Sequence, residues 1–176
     1  MEEKVIKAAL LGLGTVGTGV YKVLKGQEEE MTTKIGCKVK IRKILVRNLE
    51  KAAAKVDDPA MLTNSWEEIK QDPSIDIVIE LIGGIEPART YILDALHAGK
   101  HVVTANKDLI AVHGKELLDA AAETKSDLLF EASVAGGIPI IRPLKQCLAG
   151  NHMSEVMGIV NGTTNFILTK MSQDNM

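Results

Sequence analysis

The sequence predicts an α/β fold built on a doubly wound parallel sheet, followed by the start of an incomplete α+β domain. Short apolar runs typical of buried strands alternate with segments whose apolar residues recur at helical spacing, and short turns join them. A glycine-rich turn separates the first strand signal from the first helix signal. This alternation favours parallel strands, because parallel neighbours are connected by crossover helices.

Composition and charge are those of an ordinary globular chain, and they exclude two classes of partner. The chain has 176 residues, 45% of them hydrophobic, and a formal net charge of −2, so it lacks the strongly basic character expected of a nucleic-acid-binding protein. No apolar run approaches the roughly 20 residues of a membrane helix, so we expect no membrane partner. Two widely separated cysteines, and an amino terminus that enters a strand without a signal peptide, predict a cytoplasmic protein.

The first part of the chain contains two predicted strands. Residues 5–11 are apolar and strand-like, and apolar residues within 16–24 recur at the spacing of a helix. The acidic and polar residues 28–34 predict an exposed connection. Residues 38–46 alternate between apolar and polar side chains, as in a half-buried strand, and Asn48 is placed to cap a short helix.

The middle of the chain continues the alternation. Residues 65–68 read Ser-Trp-Glu-Glu, the pattern of a helix capping box. Residues 75–82 predict a buried strand, and Pro87 and Gly99 mark the start and end of the helix that follows it. Three further elements are predicted in order: a strand over 101–105, a helix over 109–124 and a strand over 128–131.

The pattern changes after residue 131. A glycine-containing loop leads to a helix that ends near residue 148, residues 153–160 read as a strand, and residues 161–164 form a turn that can cap a last helix. One strand and one helix cannot bury their own apolar faces. We therefore predict a first domain over residues 1–131 and an incomplete second domain over residues 132–176.

The turn after the first strand carries a G-x-G-x-x-G motif, formed by Gly12, Leu13, Gly14, Thr15, Val16 and Gly17. Between a buried strand and a helix, this motif presents backbone amides and the positive end of the helix dipole to a pyrophosphate. The first glycine permits a tight turn, the second leaves room for phosphates, and the third lets the helix pack on the strand. The motif predicts a dinucleotide site; the alternative is a turn that serves close packing alone.

The end of the second strand bears on which dinucleotide is bound. Enzymes that use NAD place an Asp or Glu there, roughly 20 residues beyond the glycines, to bind the ribose 2′-hydroxyl. This chain has Arg47 at that point, and an arginine suits a 2′-phosphate. We therefore favour NADP over NAD. Arg47 could instead be a solvated charge or stack on the adenine, and Glu50 could still reach the ribose.

Two later strand ends are expected at the same edge of the sheet. Gly83 and Gly84 follow one of them, where the backbone could approach a cofactor closely, although the pair could also be a simple flexible turn. Lys107 follows the next. A lysine there can polarise a substrate carbonyl or exchange a proton, whereas a lysine in a loop is ordinarily only solvated.

Four segments together resemble the homoserine dehydrogenase family. They are residues 9–17 (Ala-Leu-Leu-Gly-Leu-Gly-Thr-Val-Gly), 103–107 (Val-Thr-Ala-Asn-Lys), 130–139 (Phe-Glu-Ala-Ser-Val-Ala-Gly-Gly-Ile-Pro) and 158–166 (Gly-Ile-Val-Asn-Gly-Thr-Thr-Asn-Phe). The resemblance implies reversible NAD(P)H-dependent reduction of L-aspartate 4-semialdehyde to L-homoserine, in threonine and methionine biosynthesis, by a homodimer or homotetramer. Another NAD(P)-dependent amino-acid dehydrogenase and a non-catalytic dinucleotide-sensing module are the alternatives.

The resemblance also implies roles for individual residues. Residues 12–17 would hold the dinucleotide, Lys107 would lie between nicotinamide and substrate, and Gly162 and Thr163 would line the homoserine pocket. A monovalent cation such as sodium would be bound, largely through backbone carbonyls, by Glu131, Val134, Gly136 and Ile138. The family's acidic substrate residues and second catalytic lysine would lie beyond residue 176. We therefore expect this chain to bind nucleotide and to turn over slowly or not at all.

Overall fold

The computed structural model describes residues 4–174, and its first unit is built on a six-stranded sheet. The strands are β1 (Val5–Leu11), β2 (Lys38–Leu45), β3 (Leu62–Thr63), β4 (Ile77–Glu80), β5 (His101–Thr104) and β6 (Leu128–Leu129). Neighbouring strands are parallel throughout, in the order β3-β2-β1-β4-β5-β6. The order reverses between β1 and β4, the kind of switch point at which doubly wound sheets bind ligands. The predicted fold class is therefore confirmed.

The helices of the first unit follow the strands along the chain. They are α1 (Thr15–Gly26), α2 (Glu28–Ile35), α3 (Leu49–Ala53), α4 (Trp66–Lys70), α5 (Ala88–His97) and α6 (Lys107–Thr124), with 3₁₀ turns over Pro59–Met61 and Glu131–Ser133. The first compact unit ends at Gly136 and the second begins at Gly137. Across residues 4–174, no helix combines the length and apolar character needed to cross a membrane.

The sheet is buried on both faces. Ala9 and Leu11 of β1 belong to one apolar cluster with residues of α5 and α6, whereas Leu10 belongs to a second cluster with Tyr21 of α1. Side chains along a strand alternate between the two faces, so consecutive apolar residues in β1 supply both clusters. This explains why the central strands read as short continuous apolar runs.

The prediction of an exposed connection over residues 28–34 is wrong, because these residues form α2. The Thr32 hydroxyl donates to the Glu28 carbonyl at 2.7 Å, and Lys34 pairs with Glu30 one helical turn earlier at 2.6 Å. Three glutamates in the first turn favour the helix, since negative charge is stabilised near a helix N-terminus. Gly36 then ends it in a left-handed conformation with φ 75°.

Two smaller differences concern the segment before β4. Ser65 is the N-cap residue of α4 as predicted, but its side chain makes no capping hydrogen bond, so the predicted capping box is not formed. The backbone amide of Ser65 instead donates to the Thr63 hydroxyl at 3.0 Å. Strand β3 was not predicted, because two residues are too few to show a periodicity.

Within the described part of the second unit, the one regular helix is α7 (Gly162–Asp174). Asn161 caps it as predicted from the 161–164 turn: its side-chain oxygen accepts from the Thr164 amide at 2.8 Å. The helix predicted to end near residue 148 is reduced to a π-helical turn over Pro143–Cys147, and the strand predicted over 153–160 is absent from the described residues. Those residues are exposed and have no strand pairing in this structure, and a strand requires such a partner.

Candidate functional site

A cleft of about 430 Å³, which we call the main cleft, opens at the carboxyl ends of β1, β2 and β4. Residues 12–14, 45–48 and 81–82 line it at the strand ends, and Lys51 and Lys55 line it from the region of α3. The cleft therefore lies at the switch point of the sheet, where the fold itself predicts a ligand.

The three glycines of the turn after β1 have three different environments. Gly12 has φ 97°, and its amide donates to the Leu45 carbonyl at 2.9 Å, which ties the turn to the end of β2. A Cβ atom on Gly17 would lie 2.1 Å from the Gly12 carbonyl oxygen, so only glycine lets α1 approach the turn this closely. A Cβ atom on Gly14 would meet nothing within 4 Å, so the space in front of that residue is open.

The N-terminus of α1 offers backbone donors to an anion. Gly14 is the N-cap residue and provides no side-chain cap. The amides of Thr15, Val16 and Gly17 form the first turn of α1, where an α-helix supplies no internal acceptor. Free amides together with the positive end of a helix dipole make an anion-binding position.

The charges that line the main cleft are all positive. They belong to Arg47, Lys51 and Lys55, and none of the described lining residues is acidic. The Lys55 ammonium donates to the Leu13 carbonyl at 2.8 Å, and Asn48 caps α3 by accepting from the Lys51 amide at 2.8 Å. Arg47 and Lys51 are exposed at the end of β2 and on α3. This arrangement suits a ligand with several negative charges.

A second cleft of about 200 Å³, which we call the side cleft, adjoins the main cleft. Leu81 and Ile82 line both clefts. The side cleft is completed by Val16 of α1, by Gly83 after β4 and by residues 105–106 after β5. An extended ligand that crosses the N-terminus of α1 could therefore occupy both clefts.

Glu80, the last residue of β4, is fully buried, and its carboxylate bonds to two residues that line the side cleft. It accepts from the amides of Ile82 and Gly83 at 2.7 and 3.2 Å, and from the Thr104 hydroxyl at 2.6 Å. The Thr104 hydroxyl in turn accepts from the Asn106 amide at 3.0 Å. The loops after β4 and β5 are thus joined through one buried side chain.

Lys107 is the first residue of α6 and is exposed. The side-chain oxygen of Asn106 caps this helix by accepting from the Leu109 amide at 3.2 Å. A cation at a helix N-terminus is disfavoured by the helix dipole. A lysine at this position therefore incurs an electrostatic cost, as residues kept for function often do.

Comparison with known protein families identifies the family to which the chain belongs. A family model described as homoserine dehydrogenase, NAD binding domain matches residues 12–131, and a model described as homoserine dehydrogenase matches residues 139–176. The chain belongs to the homoserine dehydrogenase family. The predicted resemblance is therefore confirmed, and residues 12–131 correspond to the NAD-binding domain of this family.

Individual homoserine dehydrogenases match almost the whole chain. The Bacillus subtilis enzyme is 52% identical over 172 residues, and the Synechocystis enzyme is 46% identical over 169. A homoserine dehydrogenase crystal structure from Thiobacillus denitrificans superposes with a TM-score of 0.86 at 46% sequence identity, and the match covers 99% of this chain. A hyperthermophilic archaeal homoserine dehydrogenase in complex with NADPH superposes with a TM-score of 0.75 at 25% sequence identity, and the match covers 97% of this chain. The chain spans about 40% of the two curated relatives and of the Thiobacillus chain, and 57% of the archaeal chain.

The structure distributes the predicted site residues of this chain over several places. The predicted residues that line the main cleft are Gly12, Leu13, Gly14 and Arg47, and those that line the side cleft are Val16 and Gly83. Thr15 and Gly17 belong to the first turn of α1. The predicted substrate residues, Gly162 and Thr163, begin α7 in the second unit and are exposed.

Three of the four predicted cation ligands belong to the first unit. Glu131 begins a 3₁₀ turn after β6, and its backbone carbonyl accepts from the Val134 amide at 3.2 Å. Gly136 has φ 61°. The fourth, Ile138, belongs to the second unit. Among the residues that the structure describes, no group of three or more His, Cys, Asp or Glu side chains is arranged to hold a metal.

Two cations of the main cleft were not predicted from the sequence. Lys51 and Lys55 follow Arg47 at intervals of four residues, the spacing of one face of a helix. This signal was present in the sequence, immediately after the predicted second strand. Glu80 carried no comparable signal, because its partner Thr104 is 24 residues away along the chain.

Proposed function

We propose that this chain binds NADP with its adenosine half in the main cleft and its pyrophosphate at the N-terminus of α1. The observation that carries this proposal is the open space in front of Gly14 at a helix N-terminus without a side-chain cap. The backbone amides of α1 would donate to the pyrophosphate oxygens, as such turns do in dinucleotide-binding proteins. The family relationship supports the same placement.

We further propose that the main cleft prefers NADP to NAD. An NAD site needs an acidic residue near the ribose 2′-hydroxyl, and the described lining of this cleft is free of acids. Arg47 and Lys51 are the exposed cations at the end of β2 and on α3 that would bind a 2′-phosphate. Lys55 would contribute by holding the Leu13 carbonyl, to which it donates.

The nicotinamide half would extend into the side cleft, beside Val16, Gly83 and Ala105. Gly83 has φ 80° and would meet nothing within 4 Å at a Cβ position, so the backbone there can approach a flat ring closely. Asn106, the residue before Lys107, lines the side cleft. This order along the cofactor site supports the assignment of Lys107 to the reacting end.

For the whole protein, we propose reversible reduction of L-aspartate 4-semialdehyde to L-homoserine, a step towards threonine and methionine. The bound cofactor supplies or accepts the hydride at the carbonyl carbon. The Lys107 ammonium would donate a hydrogen bond to the carbonyl oxygen and stabilise the negative charge that develops there. Gly162 and Thr163 would contact the substrate.

We propose that residues 1–131 form the cofactor domain and that residues 132–176 begin the domain that binds substrate and forms a homodimer or homotetramer. The second family match, over residues 139–176, supports this division. Exposed apolar residues support it too, since Met157 is 84% and Val160 98% accessible. Apolar side chains exposed in a contiguous segment are typical of surfaces that other protein covers.

We also propose that Glu131, Val134, Gly136 and Ile138 hold a monovalent cation such as sodium. As the family resemblance implies, backbone carbonyls would supply most of the ligands, and oxygen ligands suit a hard cation. The Ser133 hydroxyl donates to the Thr104 carbonyl at 3.1 Å and fastens this segment beside β5. Thermal denaturation in sodium chloride against choline chloride tests the proposal, which predicts a higher midpoint in sodium.

Calorimetric titration of the 176-residue chain tests the cofactor proposal. We expect saturable binding of NADP⁺ and of 2′,5′-ADP, and weaker binding of NAD⁺. Absence of binding by all three ligands would contradict the cofactor site. Equal affinities for NADP⁺ and NAD⁺ would contradict only the role of the 2′-phosphate. The reaction itself is tested by homoserine oxidation in a longer chain that includes the downstream residues.

A further inference from the structure

We infer that Glu80 is a positioning residue that holds the two loops around the nicotinamide half of the cofactor. The inference rests on the proposed function, because it assigns the nicotinamide to the side cleft. Glu80 belongs to the interior strand β4, where its neighbours Ile77, Val78 and Ile79 are all apolar. Glu80 is therefore the one charged residue of this strand, and its carboxylate is fully buried.

Burial of a carboxylate is unfavourable unless hydrogen bonds replace its water. The three donors to Glu80 are the Ile82 amide, the Gly83 amide and the Thr104 hydroxyl, at 2.7, 3.2 and 2.6 Å. All three are uncharged groups of the loop after β4 or of the end of β5. The carboxylate therefore receives its compensation from the segments that form the side cleft.

The bonds of Glu80 fix the separation between two walls of the side cleft. Ile82 and Gly83 form one wall and bond to one carboxylate oxygen, while Thr104 bonds to the other oxygen. The Thr104 hydroxyl accepts from the backbone amide of Asn106, which also lines the side cleft. A nicotinamide ring between these walls would depend on their spacing.

A second hydrogen bond also joins the loop after β4 to the loop after β5. The side-chain amide of Asn106 donates to the Gly84 carbonyl at 2.6 Å, and its oxygen caps α6 at the Leu109 amide. Gly83 and Gly84 have φ 80° and 73°, a left-handed conformation that glycine adopts readily, and the pair is bonded by Glu80 at the Gly83 amide and by Asn106 at the Gly84 carbonyl. The Glu80 network thus extends to the backbone that carries Lys107.

The adenosine half should be independent of this network. Its proposed contacts are the glycine-rich turn, Arg47 and Lys51, and none of these bonds to Glu80, Thr104 or Asn106 in the described structure. Loss of the network should therefore change how the nicotinamide is held and leave adenosine binding intact. A general loss of folding would affect both halves.

The test compares four forms of the 176-residue chain: wild type, Thr104→Val, Glu80→Gln and Thr104→Ser. Thr104→Val removes the hydroxyl with little change of shape. Glu80→Gln keeps an acceptor for the Ile82 and Gly83 amides but leaves the Thr104 hydroxyl proton without its acceptor. Thr104→Ser keeps the hydroxyl and is the conservative control.

Two properties are measured on each form. The first is the affinity for 2′,5′-ADP. The second is the fluorescence emission of NADPH at saturation, which reports whether the reduced nicotinamide is held away from water.

We expect wild type and Thr104→Ser to enhance NADPH emission to a similar extent. Thr104→Val should lose most of that enhancement and Glu80→Gln part of it. The 2′,5′-ADP affinity should stay within about twofold of wild type in all forms, because none of the proposed adenosine contacts bonds to the residues that are changed. If Thr104→Val does not fold, Glu80→Gln decides alone.

Three results would overturn the inference: unchanged emission in both Thr104→Val and Glu80→Gln, parallel loss of emission and 2′,5′-ADP affinity, or a wild type that binds NADPH without enhanced emission. A wild type that binds neither ligand would instead contradict the proposed cofactor site.

Discussion

The α-carbon of Gly17 faces the carbonyl oxygen of Gly12 so closely that a Cβ atom would lie only 2.1 Å away. Both atoms that would clash are fixed by the backbone: one belongs to helix α1 and the other to the turn that the Gly12 amide ties to Leu45. Neither can move without changing the angle at which α1 meets β1. The third glycine of the motif therefore sets the position of the helix N-terminus.

We predict that Gly17→Ala destabilises the chain by about 2 kcal/mol or more, because overpacking against backbone must displace α1. It should also weaken NADP⁺ binding, since the amides of the first turn would move. Gly19→Ala is the matched control in the same helix: a Cβ atom there meets nothing within 4 Å. It should stabilise the chain by roughly 0.5–1 kcal/mol. Urea denaturation measures both, and equal effects would contradict the packing argument.

The second prediction concerns the two cations at the end of β2 and on α3. Loss of a hydrogen-bonded charge from a phosphate contact is expected to cost about 1.5–3 kcal/mol, so Arg47→Ala or Lys51→Ala should weaken NADP⁺ binding by roughly 10- to 100-fold. Binding of NAD⁺ should change little. Lys34→Ala is the control, because Lys34 is exposed and pairs with Glu30 on α2. If NAD⁺ and NADP⁺ weaken equally, these side chains do not recognise the 2′-phosphate.

Most of the sheet could be predicted because its signals are local. Each central strand is a short apolar run. A residue that caps a helix bonds to a backbone amide only a few residues further along the chain. Asn48 was predicted to cap a helix, and its side chain accepts from the Lys51 amide at 2.8 Å. The conformations at Gly12 and Gly17 likewise depend on a turn of six residues.

The predictions fail where the polarity of a segment does not indicate its secondary structure. Residues 28–34 are polar apart from Met31, which is typical of a loop, yet threonine-to-carbonyl bonds and a Lys34–Glu30 pair stabilise a surface helix. Residues 153–160 are apolar enough for a strand, but strand formation depends on a pairing partner that the local pattern does not reveal.

In the candidate site, too, residues with a local signal could be predicted, and residues brought together by strand pairing could not. The glycine motif and Lys107 could be placed from the sequence because each lies next to a strand end. The connection from Glu80 through Thr104 to Asn106 could not, because it exists only after β4 and β5 pair side by side. Pairing between distant segments brings such groups together, and a single sequence contains no record of it.

A third prediction concerns acid stability at Asp72. Side-chain and backbone hydrogen bonds from Ser74 hold the pKa of Asp72 below its ordinary value, and Arg42 lowers it further. The carboxyl group therefore protonates more readily in the unfolded chain than in the folded one. Its contribution to stability is complete above the ordinary pKa and is lost as the pH falls through the lower folded pKa.

We therefore predict that Ser74→Ala lowers the free energy of unfolding by about 1 kcal/mol at neutral pH, and that this effect shrinks as the pH falls through the lowered pKa of Asp72 in the folded chain. Chemical denaturation across this range measures the difference. In an Asp72→Asn background, the effect of Ser74→Ala should no longer depend on pH. A cost that stays constant with pH in both backgrounds would show that the two residues are not coupled.

The last prediction separates chemistry from binding at Lys107, and it needs the protein with its downstream residues. Replacement by alanine removes the cation proposed to stabilise negative charge on the substrate oxygen, so turnover should fall by roughly 10²–10⁴-fold. NADP⁺ affinity should change little, because the adenosine and pyrophosphate contacts lie elsewhere in the site. Lys115→Ala is the matched control on the same helix, since Lys115 is exposed and bonds to Asp119 at 2.6 Å. Steady-state turnover and calorimetric affinity should be measured on both variants. A large loss of affinity at unchanged turnover would assign Lys107 to cofactor binding and remove it from the reaction.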